Sequence, residues 1–199
     1  ESTSVLSDVQ RIPEMPLDKQ MVARKAKSSE VAVVAIGRNS GEQYDRKINN
    51  DFYLDQDEIK MINTVADAFH ARGKKVIVIL NIGGVIETAS WKDKVDAILL
   101  AWQPGQEGGN SVADVFSGDK NPSGKLTMTF PVDYNHHPSA ANFPGVPEND
   151  PKEVFYEEGI YVGYRYFNTF DVKPSFEFGY GSSYTTFEYL NLKLSKTTF

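Results

Sequence analysis

An α/β fold is predicted: a three-layer α/β/α sandwich with a mostly parallel sheet and one antiparallel edge strand. Three observations lead to it. Apolar runs without polar alternation occur at residues 31–37 (VAVVAIG), 76–80 (VIVIL) and 97–102 (AILLAW). Such runs suit strands covered on both faces, as in parallel sheets. Helical-period segments separate them, and right-handed crossovers then stack helices on the sheet. Each run also empties into a polar, glycine-rich loop, GRNSGE, NIGG or QPGQEGG. In open parallel sheets, ligands gather beyond the carboxyl ends of the strands.

Taken in order, residues 16–27 predict a helix with Pro16 at its start and Met21, Val22 and Ala26 as its apolar face. The first strand follows at 31–37. Asp55 opens the second helix and stands three residues before Glu58, the spacing of a capping box. Ile59, Ile62, Ala66 and Phe69 recur at helical spacing, and Gly73 closes the helix. The strand at 76–80 is followed by a short helical stretch near 91–95, the strand at 97–102 and a helix over 109–116. The turn NPSG at 121–124 introduces LTMTF at 126–130, whose alternation predicts the antiparallel edge strand. Residues 131–151, rich in His, Asn and Pro, form a loop too long for a passive connection. YTTFEYLNLKL at 184–194 alternates like an exposed strand. Aromatic residues crowd the last third, which reads as a large core there, with a sugar-stacking surface as the alternative.

The totals narrow the function. A chain of 199 residues with 40% hydrophobic and 24% charged residues suits one globular domain. A net charge of −6 without a Lys/Arg stripe argues against nucleic acid as a partner. The absence of cysteine removes disulfides, thiolate metal sites and a cysteine nucleophile. No apolar run approaches the ~20 residues of a membrane span. The first ten residues, ESTSVLSDVQ, lack the basic-then-apolar order of a secretory signal, which leaves a cytoplasmic and a secreted location both open.

Candidate chemistry is sparse. Glu42 follows the first strand on a loop freed by Gly41, with Asp45 and Arg46 placed to pair beside it. It reads either as a solvated loop glutamate or as an acid whose pKa partial burial lifts, ready to donate a proton. Gln106 and Glu107 in PGQEGG fit helix-entry turn chemistry or an amide nest for an anion. His136 and His137 are adjacent and point apart, with no carboxylate at a metal-ligand spacing. His70 reads as a helix-terminal surface residue. Asp45, Asp51, Asp55 and Asp57 are accounted for by capping, local ion pairs and solvation. No G-x-S-x-G elbow is present. No cofactor or metal is expected.

Taken together, the loops carry a resemblance. SGEQYDR, VIVILNIGG, the stretch VDAILLAWQPGQEGGN, then NPSGKL, YEEGIYVGYRYF and FEFGYGSSYTTFEY resemble, in this order, the second domain of family 3 glycoside hydrolases, the β-glucosidases and their relatives. The resemblance runs from about residue 31 to about residue 192. It implies a retaining exo-glycosidase that hydrolyses terminal β-D-glucosyl or related residues. In this family a (β/α)8 barrel supplies an aspartate nucleophile, and the sandwich supplies the acid/base from a loop with the pattern S-G-E-G-x-D-R. The matching residues are Ser40, Gly41, Glu42, Asp45 and Arg46, with Gln43 in place of the second glycine. Glu42 is thereby implied as the general acid/base, with Ser40, Tyr44 and Arg46 as substrate-binding residues.

The resemblance also implies a partial sandwich domain over 1–186, apparently lacking its first strand, and the start of a fibronectin-III-like β domain at 187–199. A barrel domain or partner chain would complete the site around a β-glucoside or oligosaccharide. The exposed sheet edge would favour self-association. From other classes, a non-catalytic sugar-binding or structural module and a nucleotide-binding flavodoxin-like domain stay open, the latter on fold pattern alone.

Overall fold

The computed structural model describes residues 17–39 and 45–198. Helix α1, Lys19–Ser28, starts where the Asp18 side chain accepts a hydrogen bond from the Gln20 amide at 2.8 Å. Strand β1 is Val31–Gly37. Helix α2, Gln56–His70, carries the expected capping box. The Asp55 carboxylate accepts from the Glu58 amide at 2.8 Å, and the Asp55 amide donates to Glu58 at 3.0 Å. Gly73 then turns the chain with φ +67°, which glycine adopts without a Cβ penalty. Strands β2, Lys75–Asn81, and β3, Ala97–Leu100, complete a three-stranded parallel sheet in the order β1-β2-β3. Helix α3 is Gly108–Ser117 and α4 is Tyr164–Thr169.

The register explains the core. Val34 pairs with Val78 and Val78 with Ile98, so alternate residues of all three strands share a face. On that face Val34, Ile36, Val76, Val78 and Leu80 meet Val22 and Ala26 of α1 and Ile62, Val65 and Phe69 of α2. Ile82, Ile86 and Trp91, from the connection after β2, seal its upper end. At the lower end Asp96 accepts from the Val76 amide at 2.8 Å, Lys75 at 2.7 Å and His70 at 2.9 Å. Lys75 first, with that amide and His70, holds its carboxyl group well below the usual carboxylate range.

Several expectations need correction. Apolar runs of this kind imply cover on both faces, yet the face opposite α1 and α2 leaves Val33 48% exposed, with Ala35 and Ala97 also exposed. Residues 126–130 form no strand on this sheet. Leu126 and Phe130 direct their backbone hydrogen bonds to the 175–180 segment, and Phe130 and Phe176 form an isolated antiparallel bridge. Alternation identifies a pairing segment but not its partner. Residues 184–194 are likewise exposed without strand pairing. The aromatic last third is not a single core, for Tyr156 and Tyr189 are 79% and 97% exposed.

Candidate active site

The carboxyl ends of the three strands converge on one polar cleft. Gly37 ends β1, and the amide of the next residue, Arg38, donates to the Asn81 carbonyl at the end of β2, at 3.0 Å. After β3, Trp102 adopts φ +54°, uncommon for a bulky residue. Gln103, immediately after it, donates from Nε2 to the Arg38 carbonyl at 3.3 Å. Gly37, Arg38, Asn81 and Gln103 thus line an open cleft of about 790 Å³ together with Asn39, residues 45–47 and residues 49–51. Apart from Gly37, its described lining residues carry amide or charged side chains, which can donate and accept hydrogen bonds.

Ser40, Glu42 and Tyr44 lie outside the described residues, as do Gly41 and Gln43. The residues on either side are well anchored. Arg38 grips Glu58 with a fork, Nη1 to Oε1 and Nη2 to Oε2, both at 2.6 Å. It also donates from Nε to the Asp51 carbonyl at 2.9 Å. The hydrogen bond to Glu58 raises the Arg38 pKa despite burial, so this cation is permanent. Arg46 donates from Nε and Nη2 to Asp51 Oδ1 at 2.9 and 2.5 Å and from Nη1 to the Val85 carbonyl at 2.9 Å. The ion pair beside Arg46 is therefore with Asp51 rather than with the neighbouring Asp45. A Cβ on Gly84 would stand 2.6 Å from Arg46 Nη1, which accounts for a glycine in the NIGG loop.

A second wall supports the turn at 48–52. Phe52 is buried, its ring meeting Tyr53, Tyr134 and His137 edge-on at 4.9, 5.6 and 6.1 Å. Tyr53 donates its hydroxyl to Asp133 at 2.9 Å and accepts from the Tyr134 amide at 3.0 Å. Burial raises the Tyr53 pKa, and the Tyr134 amide partly offsets this. The first residues of the long 131–151 loop thus buttress the segment that follows Arg46.

The other candidates are placed as follows. Glu107 precedes α3 without a side-chain cap and accepts from Asn110 at 2.6 Å. Among the described residues no group of three or more His, Asp or Glu is arranged to hold a metal ion. Arg38, Asn81 and Gln103 escape a reading of the sequence, and Asp51 reads there as one more solvated or ion-paired acid. The arginines at 38 and 46, bracketing SGEQY, are the available signal for an anchored loop.

The model of the glycosyl hydrolase family 3 C-terminal domain matches residues 3–164. The chain belongs to this family. It is 40% identical to thermostable beta-glucosidase B of Acetivibrio thermocellus, with 96% of this chain and 25% of that protein covered. It is 34% identical to an exo-alpha-(1->6)-L-arabinopyranosidase of Bifidobacterium breve over 93% of this chain and 23% of that protein. Among solved structures it is similar to beta-glucosidase 3B of Thermotoga neapolitana in complex with glucose, at 55% identity and a TM-score of 0.88, covering 96% of this chain and 27% of that one. The family 3 chain thus spans about a quarter of the length of these relatives.

Proposed function

We propose that this chain is the acid/base-bearing domain of a retaining exo-glycosidase that hydrolyses terminal β-D-glucosyl or closely related residues, with Glu42 as the acid/base. The observation that carries the proposal is the S-G-E-x-x-D-R pattern beyond the carboxyl end of β1, in a family 3 domain. The similarity to a β-glucosidase solved with glucose supports the sugar class. The named arabinopyranosidase among the relatives keeps the class at pyranosides of related shape.

In this mechanism Glu42 donates its proton to the departing glycosidic oxygen while a carboxylate from another domain attacks the anomeric carbon. The ionised Glu42 then takes a proton from the water that releases the sugar. Retention requires the two carboxyl groups to stand about 5–5.5 Å apart. The chain alone is inactive on this reading, because the nucleophile comes from a barrel domain or partner chain. Ser40, Tyr44 and Arg46 would border the sugar or its leaving group.

Replacing Glu42 with alanine in the intact enzyme tests the assignment. Turnover of a substrate with a poor leaving group falls about 10²–10⁴-fold. An activated aryl glycoside, which leaves without protonation, is turned over far better, and azide restores its second step. Equal losses on both substrates would remove Glu42 from this role. The amide-lined cleft favours one second reading, a non-catalytic sugar-binding module. Titration calorimetry of the isolated chain with glucose and cellobiose separates the two: measurable heat supports the module, none supports a half-site.

A further inference from the structure

We infer that Asp51 is the positioning residue of the acid/base loop, tying together the two stems between which Glu42 lies. The inference rests on the role proposed for Glu42. Arg38 and Arg46 stand on either side of residues 39–45, and both reach Asp51. Arg46 places Nε and Nη2 on Oδ1 at 2.9 and 2.5 Å, and Arg38 places Nε on the backbone carbonyl at 2.9 Å with Oδ1 at 3.8 Å. The far ends of the two guanidinium groups are fixed to different parts of the scaffold. Arg38 forks onto Glu58 in the first turn of α2, and Arg46 reaches the Val85 carbonyl after β2. Asp51 is the point these two anchorages share.

Local backbone geometry presents it there. Asn50 has φ +62°, a left-handed conformation that asparagine tolerates better than most side chains. The reversal lets both Oδ1 and the carbonyl of Asp51 face the stems. The site is sheltered, with the side chains of Arg38, Arg46 and Asp51 10%, 21% and 25% exposed. Charge-assisted hydrogen bonds in such a setting are short and directional. Two guanidinium cations meet two carboxylates, Asp51 and Glu58, so removing the Asp51 side chain takes both short hydrogen bonds from Arg46 and leaves it the Val85 carbonyl at 2.9 Å and the Asp51 carbonyl at 3.4 Å. Asp51 takes no part in the hydrophobic core, so its loss acts on the loop before it acts on the fold. Proton transfer depends on placement: a misplacement of about 1 Å costs on the order of 10²-fold.

The test uses the intact enzyme with Asp51→Ala and Asp51→Asn, each compared with Glu42→Ala on an alkyl β-glucoside and on 2,4-dinitrophenyl β-glucoside. Asp51→Ala lowers kcat on the alkyl glucoside about 10²-fold. On the dinitrophenyl substrate the loss in kcat stays below about threefold. Asp51→Asn keeps an Oδ1 acceptor for Arg46 and falls between Asp51→Ala and the wild type. If Asp51→Ala does not fold, Asp51→Asn must show the same leaving-group split at smaller size. Equal losses on the two substrates, or no loss on either, overturn the inference. If Glu42→Ala shows the split and the Asp51 variants do not, Asp51 alone loses its role. If Glu42→Ala shows no split, the acid/base reading fails and the Asp51 inference fails with it.

Discussion

Between residues 17 and 102 apolar side chains turn inward at a fixed period, whereas between 126 and 198 many of the largest turn outward. Val22, Ile62, Val76, Val78 and Ile82 are at most 1% exposed. Tyr189 and Leu192 are 97% and 92% exposed. The first region is held by burial on a repeating frame. The second buries few side chains, Phe130 and Phe167 among them, and adds individual polar contacts, such as Ser183 donating to Asn121 at 2.8 Å and Tyr184 reaching the Val115 carbonyl at 2.9 Å. Hydrophobic content alone therefore does not make a core; periodic placement against a packed partner does.

The largest expected effect sharpens this contrast directly. Ile62→Ala removes a fully buried side chain between α2 and the sheet and lowers stability by about 2–5 kcal/mol. Leu192→Ala, at an almost fully exposed position, changes stability by less than about 0.5 kcal/mol. Urea denaturation of the two variants checks the pair. Comparable losses would mean that the second region carries a core of its own.

A smaller effect is expected where the regions meet. The Thr88 and Ser175 hydroxyls, both buried, share a hydrogen bond of 2.7 Å. Lys92 donates to the Ser175 carbonyl at 2.9 Å and lies 4.8 Å from the Phe176 ring centroid. Thr88→Val leaves the Ser175 hydroxyl buried without this partner and costs about 1–3 kcal/mol. Adding Ser175→Ala restores most of the loss, because replacing both partners removes the unsatisfied group. Denaturation midpoints of the single and double variants measure the coupling. Additive losses would show that the hydroxyl pair does not link the two regions.

The same division explains what was legible in the sequence. VAVVAIG gave β1 with the bounds Val31–Gly37, and the Asp55–Glu58 spacing gave the capping box, because periodicity and capping are local. The edge-strand expectation for 126–130 missed because the partner, 175–180, is nearly fifty residues away and carries no pairing signal of its own. At the site, residues 40–44 of SGEQYDR lie outside the described residues, and Asp51 and Glu58 looked in the sequence like ordinary solvated or capping acids. Their engagement with Arg38 and Arg46 depends on how the turn at 48–52 folds back, and a linear pattern of charges does not encode that. Arg46 illustrates the same point, for its guanidinium is already engaged by Asp51 and the Val85 carbonyl.

The smallest expected effect lies in the buttress behind that turn and is set by pH. His137 is half-buried against Phe52 and Tyr134, with ring centroids at 6.1 and 5.8 Å. Burial, reinforced by repulsion from His136, lowers its pKa below the ordinary value near 6.5. The unfolded chain therefore binds the His137 proton at a higher pH than the folded chain does. The contribution is fully present above pH about 6.5 and is lost as pH falls toward the depressed folded value. His137→Phe keeps an apolar ring in place and removes the titration. Its stability then falls less than that of the wild type as pH is lowered from 7 to 5, in parallel urea titrations. An identical pH dependence in the two proteins would show that the ring titrates as freely folded as unfolded, so that packing on Phe52 does not hold it neutral. The buttress would then resemble the open C-terminal surface more than the sheltered core beside it.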